Sequence, residues 1–175
     1  MARLARLGVG GWPHLVVQPL QAGQALWRDD TDAQALHAAM MEAARQHGVA
    51  VNAYSLLGPL GGGADPLTLV LTPQTDEGLG LFMQAVGRRY VAFYNRRHGR
   101  LGSLWAGRFR STVLDPAHYL LDAIQWVEQG QGTGEHLSPR TSSLPHHLGR
   151  GSDPLVTPAA AFWALGNTPF DRELA

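Results

Sequence analysis

Two runs with helical periodicity, each stopped by a glycine and flanked by short β-like runs, most constrain what this chain can fold into. In the first, Leu36, Ala39, Met40 and Ala43 recur at helical spacing between Ala33 and His47. Asp29, Asp30, Thr31 and Asp32 offer N-caps, and Gly48 offers a left-handed stop. In the second, from Gly78 to His98, Leu81, Met83, Val86, Tyr90 and Phe93 are spaced for one helix face, and Gly99 ends the run. Pro13 to Gln18 is short and β-branched after a Gly-Gly turn and reads as a strand. Val49 to Leu57 alternates Val49, Val51 and Ala53 against Ala50, Asn52 and Tyr54, and Leu67 to Thr72 is a further β-like run closed by Pro73. Gly58 to Pro66, rich in Gly and Pro, joins those two runs as a long hairpin connection. After a Gly-containing loop, Phe109 to Leu114 reads as a strand and Pro116 to Glu128 as a third helix with proline at its start.

The resulting order, β-α-β-β-α-β followed by a helix, predicts an α+β, ferredoxin-like fold: an antiparallel sheet with helices on one face. Residues 1–130 form this domain. Residues 131–175, rich in Gly, Ser, Pro and Thr with one short helix from Pro158 to Leu165, are expected to pack on it as a loop-rich extension. With 175 residues, 45% of them hydrophobic, the chain can bury a sizeable core, which excludes intrinsic disorder. No apolar run approaches the ~18 residues that cross a bilayer, and the first thirteen residues lack a signal-like apolar stretch. A cytoplasmic protein is the expectation. Cysteine is absent, so disulfides, thiolate metal sites and cysteine nucleophiles are excluded.

Net charge is zero, yet the positive charge is concentrated. All 14 basic residues are arginine, and Arg88, Arg89, Arg96, Arg97, Arg100, Arg108 and Arg110 fall in one segment that contains no Asp or Glu. Tyr90, Phe93, Tyr94, Trp105 and Phe109 are interleaved with them. Cations that track phosphates, beside aromatics that stack on unpaired bases, suit single-stranded nucleic acid. The competing reading makes the aromatics core and the arginines the solvated face of the same helix.

The sequence resembles the single-tyrosine transposases of the HUH class, close to the REP-associated branch. The specific part runs from Phe82 through Arg88-Arg89-Tyr90-Val91 and Tyr94-Asn-Arg-Arg-His-Gly-Arg-Leu-Gly-Ser-Leu-Trp-Ala-Gly-Arg-Phe109. Weaker matches are the opening Met1 to Leu7, Pro13-His14, Trp27 to Asp30, Tyr119-Leu-Leu and Asp153 to Pro158. The resemblance implies a ferredoxin-like fold and binding of single-stranded or hairpin DNA, with Tyr94 and Trp105 as the stacking residues and the seven arginines on phosphates. It also implies cleavage chemistry: two His flanking an apolar residue and an Asn or Gln hold Mg²⁺ or Mn²⁺, and a Tyr attacks the scissile phosphate.

Those parts are replaced here. The His pair falls on Pro66 and Thr68, the Tyr on Trp126, and the amide ligand on Gly130, with Gln129 adjacent. Neither an indole nor a proline side chain supplies a nucleophilic or metal-binding oxygen. The expectation is a transposase-like DNA-binding protein with a degenerate site, no catalytic residue, and no bound metal or other cofactor. DNA is the expected partner, a homodimer is possible, and no membrane is involved.

Other residues could take over these roles. Tyr119, seven residues before Trp126, shares its helix face about 10 Å away at ~1.5 Å per residue. Asp65 and Asp76 bracket the altered strand and could hold Mg²⁺, and His146-His147 could bind a metal if a third partner joined them. An active nuclease built on Tyr119 and Asp65 is therefore one alternative. Another is a scaffold that binds no DNA, its arginines tied to Asp115, Asp122 and Glu128.

Overall fold

The computed structural model describes residues 7–56, 65–129, 141–168 and 171. Its sheet is built from β1 (His14–Gln18), β2 (Val49–Ser55), β3 (Leu67–Pro73) and β4 (Arg110–Val113) in the order β2-β3-β1-β4, and every pair is antiparallel. The helices α1 (Asp30–His47) and α2 (Gly78–His98) connect these strands in the expected sequence and lie together on one face. This is the ferredoxin-like arrangement. The additional helix α3 (Leu120–Gln129) covers the opposite face, so the sheet is buried on both sides. Two short helices, α4 (Leu144–His147) and α5 (Ala160–Trp163), follow.

Local chemistry accounts for the helix limits. The Asp29 side chain accepts from the Asp32 amide to open α1, and Asp30 and Asp32 place negative charge in its first turn. Gly48 and Gly99 close α1 and α2 with φ of 60° and 61°, a backbone region that other residues enter at a cost. α3 starts at Leu120, four residues later than Pro116. Asp115 accounts for the difference: its carboxylate accepts from the Ala117 amide and engages His118, and its carbonyl accepts from Tyr119, holding residues 116–119 in a turn.

The strict alternation expected in β2 breaks at a bulge between Val51 and Ala53. Val49, Val51 and Tyr54 therefore point to the α1/α2 core, and Ala53 points to α3. The bulged Asn52 accepts from Thr72 Oγ1 at 2.6 Å and donates to the Thr157 carbonyl. In α2 the buried stripe is Phe82, Met83, Val86, Tyr90 and Tyr94; Leu81 is 43% exposed and Phe93 only half-buried.

Among the described residues after α3, those around Ser142 and Val156 pack against the sheet. Ser142 and Val156 bridge to Ser55 and Val51, covering the free edge of β2 that would otherwise present unpaired backbone groups. Leu155 and Val156 join the main core. The helix expected from Pro158 to Leu165 is the single turn of α5. No helix among the described residues is long and apolar enough to cross a membrane.

Candidate nucleic-acid interface

The arginine-rich segment spans the outer half of α2, the 99–109 loop and the start of β4, and the fold divides its residues into two environments. In the first, the loop is pinned back onto α2 and onto the chain after β1. Leu104 is fully buried, Leu20 and Trp105 form an isolated bridge, the Ala106 amide donates to the Pro19 carbonyl, and Asn95 Nδ2 donates to the Gly102 carbonyl. Between loop and helix runs an open groove of about 670 Å³, whose helix side includes Gln84, Gly87, Arg88 and Asn95 and whose loop side includes Trp105 and Arg108.

Gly87 makes this contact possible. A Cβ there would come within 3.2 Å of Trp105 Nε1, so the missing side chain lets the indole lie close to the helix. Trp105 is half-buried, while Arg88 and Arg108 are exposed. No Asp or Glu lines the groove among the described residues. Arg96 and Arg110 are also exposed, and none of these four arginines has an ion-pair partner among the described residues.

The second environment is a locked network at the C-terminal end of α2. Arg97 donates to both carboxylate oxygens of Asp29 and, at 2.7 Å, to Asp32 Oδ1. Asp32 is fully buried and also accepts from His98 Nε2 at 2.8 Å and from the Arg28 amide. The hydrogen bonds from Arg97 hold the Asp29 carboxyl below its usual range, and the two carboxylates push the Arg97 guanidinium still higher. Burial raises the Tyr90 phenol, whose hydroxyl donates to the Leu26 carbonyl.

Tyr94 belongs to this network, which corrects its expected stacking role. Its ring is fully buried, its hydroxyl accepts from Arg28 Nε at 3.0 Å, and the Arg28 and Arg100 guanidinium groups each sit 5.6 Å from its centre. No face is left for a base. The spacing carried the signal: Tyr94 follows Tyr90 by one turn on the stripe that packs inward. Arg97 and Arg100 are likewise occupied, Arg100 donating to Asn95 Oδ1. Arg89 lies between the two cases, facing Gln46 and, at 3.8 Å, Glu42 across the α1/α2 contact. Gln84, Gly87 and Asn95 went unnoticed in the sequence; a glycine inside a strongly periodic helix was the available signal.

The positions where the resemblance expects cleavage residues do not line the groove. Thr68 is buried in β3 opposite Val17 and Ser55, with Pro66 just before the strand. Ala123, Ile124 and Val127 turn inward from α3, and Trp126 is 56% exposed. Tyr119, 60% exposed, sits in the turn before α3. Gly130 lies outside the described residues.

The residues at this place do not fit the divalent cation that the resemblance implies. The Pro66 side chain has no donor atom, and no group of three or more His, Asp or Glu among the described residues is arranged to hold an ion. Asp65 and Asp76 lie beyond opposite ends of the seven-residue β3, whose own ends are about 20 Å apart at ~3.3 Å per residue, and so are not placed to share one. Asp76 instead accepts from the Gly10 amide. His146 and His147 are engaged separately, His146 accepting from the Asp153 amide and His147 facing Glu128. Asp115 and Glu128, expected as arginine partners in the scaffold reading, pair with histidines.

No protein-family description matches the sequence, and no curated protein matches it. Among solved structures, the chain is similar to a REP-associated tyrosine transposase bound to a REP hairpin, with a TM-score of 0.64 and 16% identity over 91% of this chain and 92% of that one. A candidate transposase from Deinococcus radiodurans R1 aligns with a TM-score of 0.46 and 18% identity over 76% of this chain and all of the other. The first similarity establishes that this chain has the fold of that transposase.

Proposed function

We propose that the chain binds single-stranded or hairpin DNA in the groove between α2 and the 99–109 loop. Arg88 and Arg108 contact phosphates, Trp105 stacks on an unpaired base, and Arg96 and Arg110 extend the track. The carrying observation is that two exposed arginines without ion-pair partners and one accessible indole share a groove that no carboxylate lines among the described residues. Cations with stacking surfaces bind unpaired strands without base-specific hydrogen bonds. Support also comes from the transposase of the same fold, whose structure holds a REP hairpin.

The proposed activity is binding without the tyrosine-dependent cleavage of the family. What supports this is the exposed Trp126 where the nucleophile is expected, with Pro66 and Thr68 where metal-binding histidines are expected. A divalent metal is correspondingly not required.

Fluorescence anisotropy of a labelled hairpin oligonucleotide at several salt concentrations tests the binding. Replacing Arg88 and Arg108 together by alanine flattens the slope of log affinity against log salt by about 1.4, since each single-strand phosphate contact contributes ~0.7. Trp105→Ala weakens binding roughly 5- to 150-fold, as expected for the loss of ~1–3 kcal/mol of stacking. Unchanged affinity and slope in both variants would remove the groove from the interface. A covalent adduct with DNA formed in Mg²⁺ or Mn²⁺ and lost in Tyr119→Phe would overturn the inactivity.

A further inference from the structure

On the outer side of α1, a cleft of about 740 Å³ lies between this helix and the chain from Ser142 to Pro154, with Phe93 contributed by α2. Gln34, Ala38 and Met41 follow one another by about a turn along its α1 wall, on a stripe separate from the one that packs into the core. Met41 is 41% exposed and Phe93 is half-buried, which leaves an apolar surface open there. No arginine lines the cleft among the described residues.

Asp153 organises the polar side. Its carboxylate faces His37 Nε2 at 2.8 Å and accepts from the Tyr54 hydroxyl and the Leu155 amide, and its own amide donates to His146 Nδ1 at 3.0 Å. A nitrogen that accepts carries no hydrogen, so the ring hydrogen of His146 sits on Nε2 and makes that atom a donor. Burial holds the His146 imidazole below its ordinary range, which agrees with a neutral ring. Nε2 has no hydrogen-bond partner among the described residues, yet it is not sealed: His146 is only half-buried, and the buried side-chain atoms without a partner are Asp65 Oδ2 and His147 Nε2. Of the other polar groups in the lining, Thr31, Gln34 and Ser152 are exposed, and Ser142 Oγ accepts from the Leu144 amide.

We propose that this cleft binds an uncharged ring compound bearing a carbonyl or ring-nitrogen acceptor, with His146 Nε2 donating to the acceptor and Phe93 and Met41 packing against the ring. The volume falls in the range of small-molecule sites, where apolar walls with a few placed polar atoms are the usual chemistry. The donor is oriented before a ligand arrives, because Asp153 is itself tied to His37 of α1 and Tyr54 of β2, and this lowers the ordering cost of binding. An aromatic ring and a thioether suit an aromatic guest. An anion is disfavoured, since the Asp153 carboxylate lies in the lining and no arginine there offsets it. None of the cleft's residues lines the arginine groove, so this proposal does not rest on the DNA-binding reading.

Acetophenone and α-methylstyrene, alike in shape but with a carbonyl oxygen in one and a methylene in the other, are suitable probes for the full chain at pH 8. Titration followed by the ¹⁵N resonances of the His146 ring is expected to show saturable acetophenone binding that moves Nε2. His146→Leu lowers the affinity for acetophenone about 2- to 10-fold, the worth of one hydrogen bond, and leaves that for α-methylstyrene unchanged. Met41→Ala weakens both probes alike. Should His146→Leu fail to fold, His146→Asn makes the same test, since its Oδ1 can accept from the Asp153 amide in place of Nδ1 while no donor remains at the position of Nε2. Binding of neither probe, an acetophenone complex that leaves Nε2 unmoved, or equal losses for the two probes in the His146 variant would overturn the proposal.

Discussion

The two ends of one arginine-rich segment differ in what their charge can do. At the C-terminal end of α2, Arg97 is held by Asp29 and Asp32 from the start of α1, and Arg100 and Arg28 close over Tyr94. Along the groove, Arg88 and Arg108 meet no carboxylate among the described residues and flank a half-buried indole. A segment without acids in its own sequence is thus partly neutralised by acids about 65 residues away. Local charge density states how many cations are present. The fold decides which of them remain available to a phosphate.

Disruption of the locked end gives the largest expected effect. Asp32 is fully buried with three donors around it, so Asp32→Ala leaves Arg97 and His98 without their shared acceptor and releases the turn that leads into α1. Losing hydrogen bonds to a charged, buried acceptor costs about 1.5–3 kcal/mol. For a chain of this size that lowers Tm by roughly 3–12 °C, at ~2–4 °C per kcal/mol. Thermal unfolding checks the loss, and anisotropy on folded Arg97→Ala checks that the salt slope is unchanged. A loss below about 1 kcal/mol with a flattened slope would erase the distinction between the two ends and return Arg97 to the interface.

The groove end is sharpened by Gly87→Ala. Alanine favours the helix over glycine by about 1 kcal/mol, but its Cβ would press on Trp105 Nε1 at 3.2 Å. The loop can give way at Trp105, which is half-buried, so Tm is expected to hold or rise by about 2–4 °C. The indole N–H resonance of Trp105 shifts and hairpin affinity falls. A lower Tm with unchanged affinity would mean that the indole is a packing group and that the base stacks elsewhere.

Much of the architecture was legible in the sequence because the helix punctuation is strong. Gly48 and Gly99 end their helices where the periodicity stops, and the β-α-β-β-α-β order follows from them. The bulge at Asn52 was not legible, since its partners Thr72 and Thr157 come from distant parts of the chain. The site was half legible. Its arginines and Trp105 stand out by composition, whereas the fate of Tyr94 depended on choosing the inward stripe of α2 correctly. With Leu81 and Phe93 placed on that stripe, Tyr94 looks outward. With Phe82, Tyr90 and Tyr94 there instead, it becomes core.

Arg89 carries the comparison to its smallest and most delicate case. Its guanidinium is about half exposed and reaches Glu42 only at 3.8 Å, while Arg45 engages the same carboxylate at 2.6 Å. An exposed pair of this kind contributes at most ~0.5 kcal/mol, so Arg89→Ala should move Tm by about 2 °C or less. Arg89 neighbours Arg88 in sequence, but it turns toward α1 and does not line the groove. Its removal should therefore leave the salt slope unchanged, whereas Arg88→Ala alone reduces it by about 0.7. Equal slopes for the two single variants would show that the strand wraps around α2 onto its α1 side. The interface would then be a broad cationic helix surface, and the groove only one part of it.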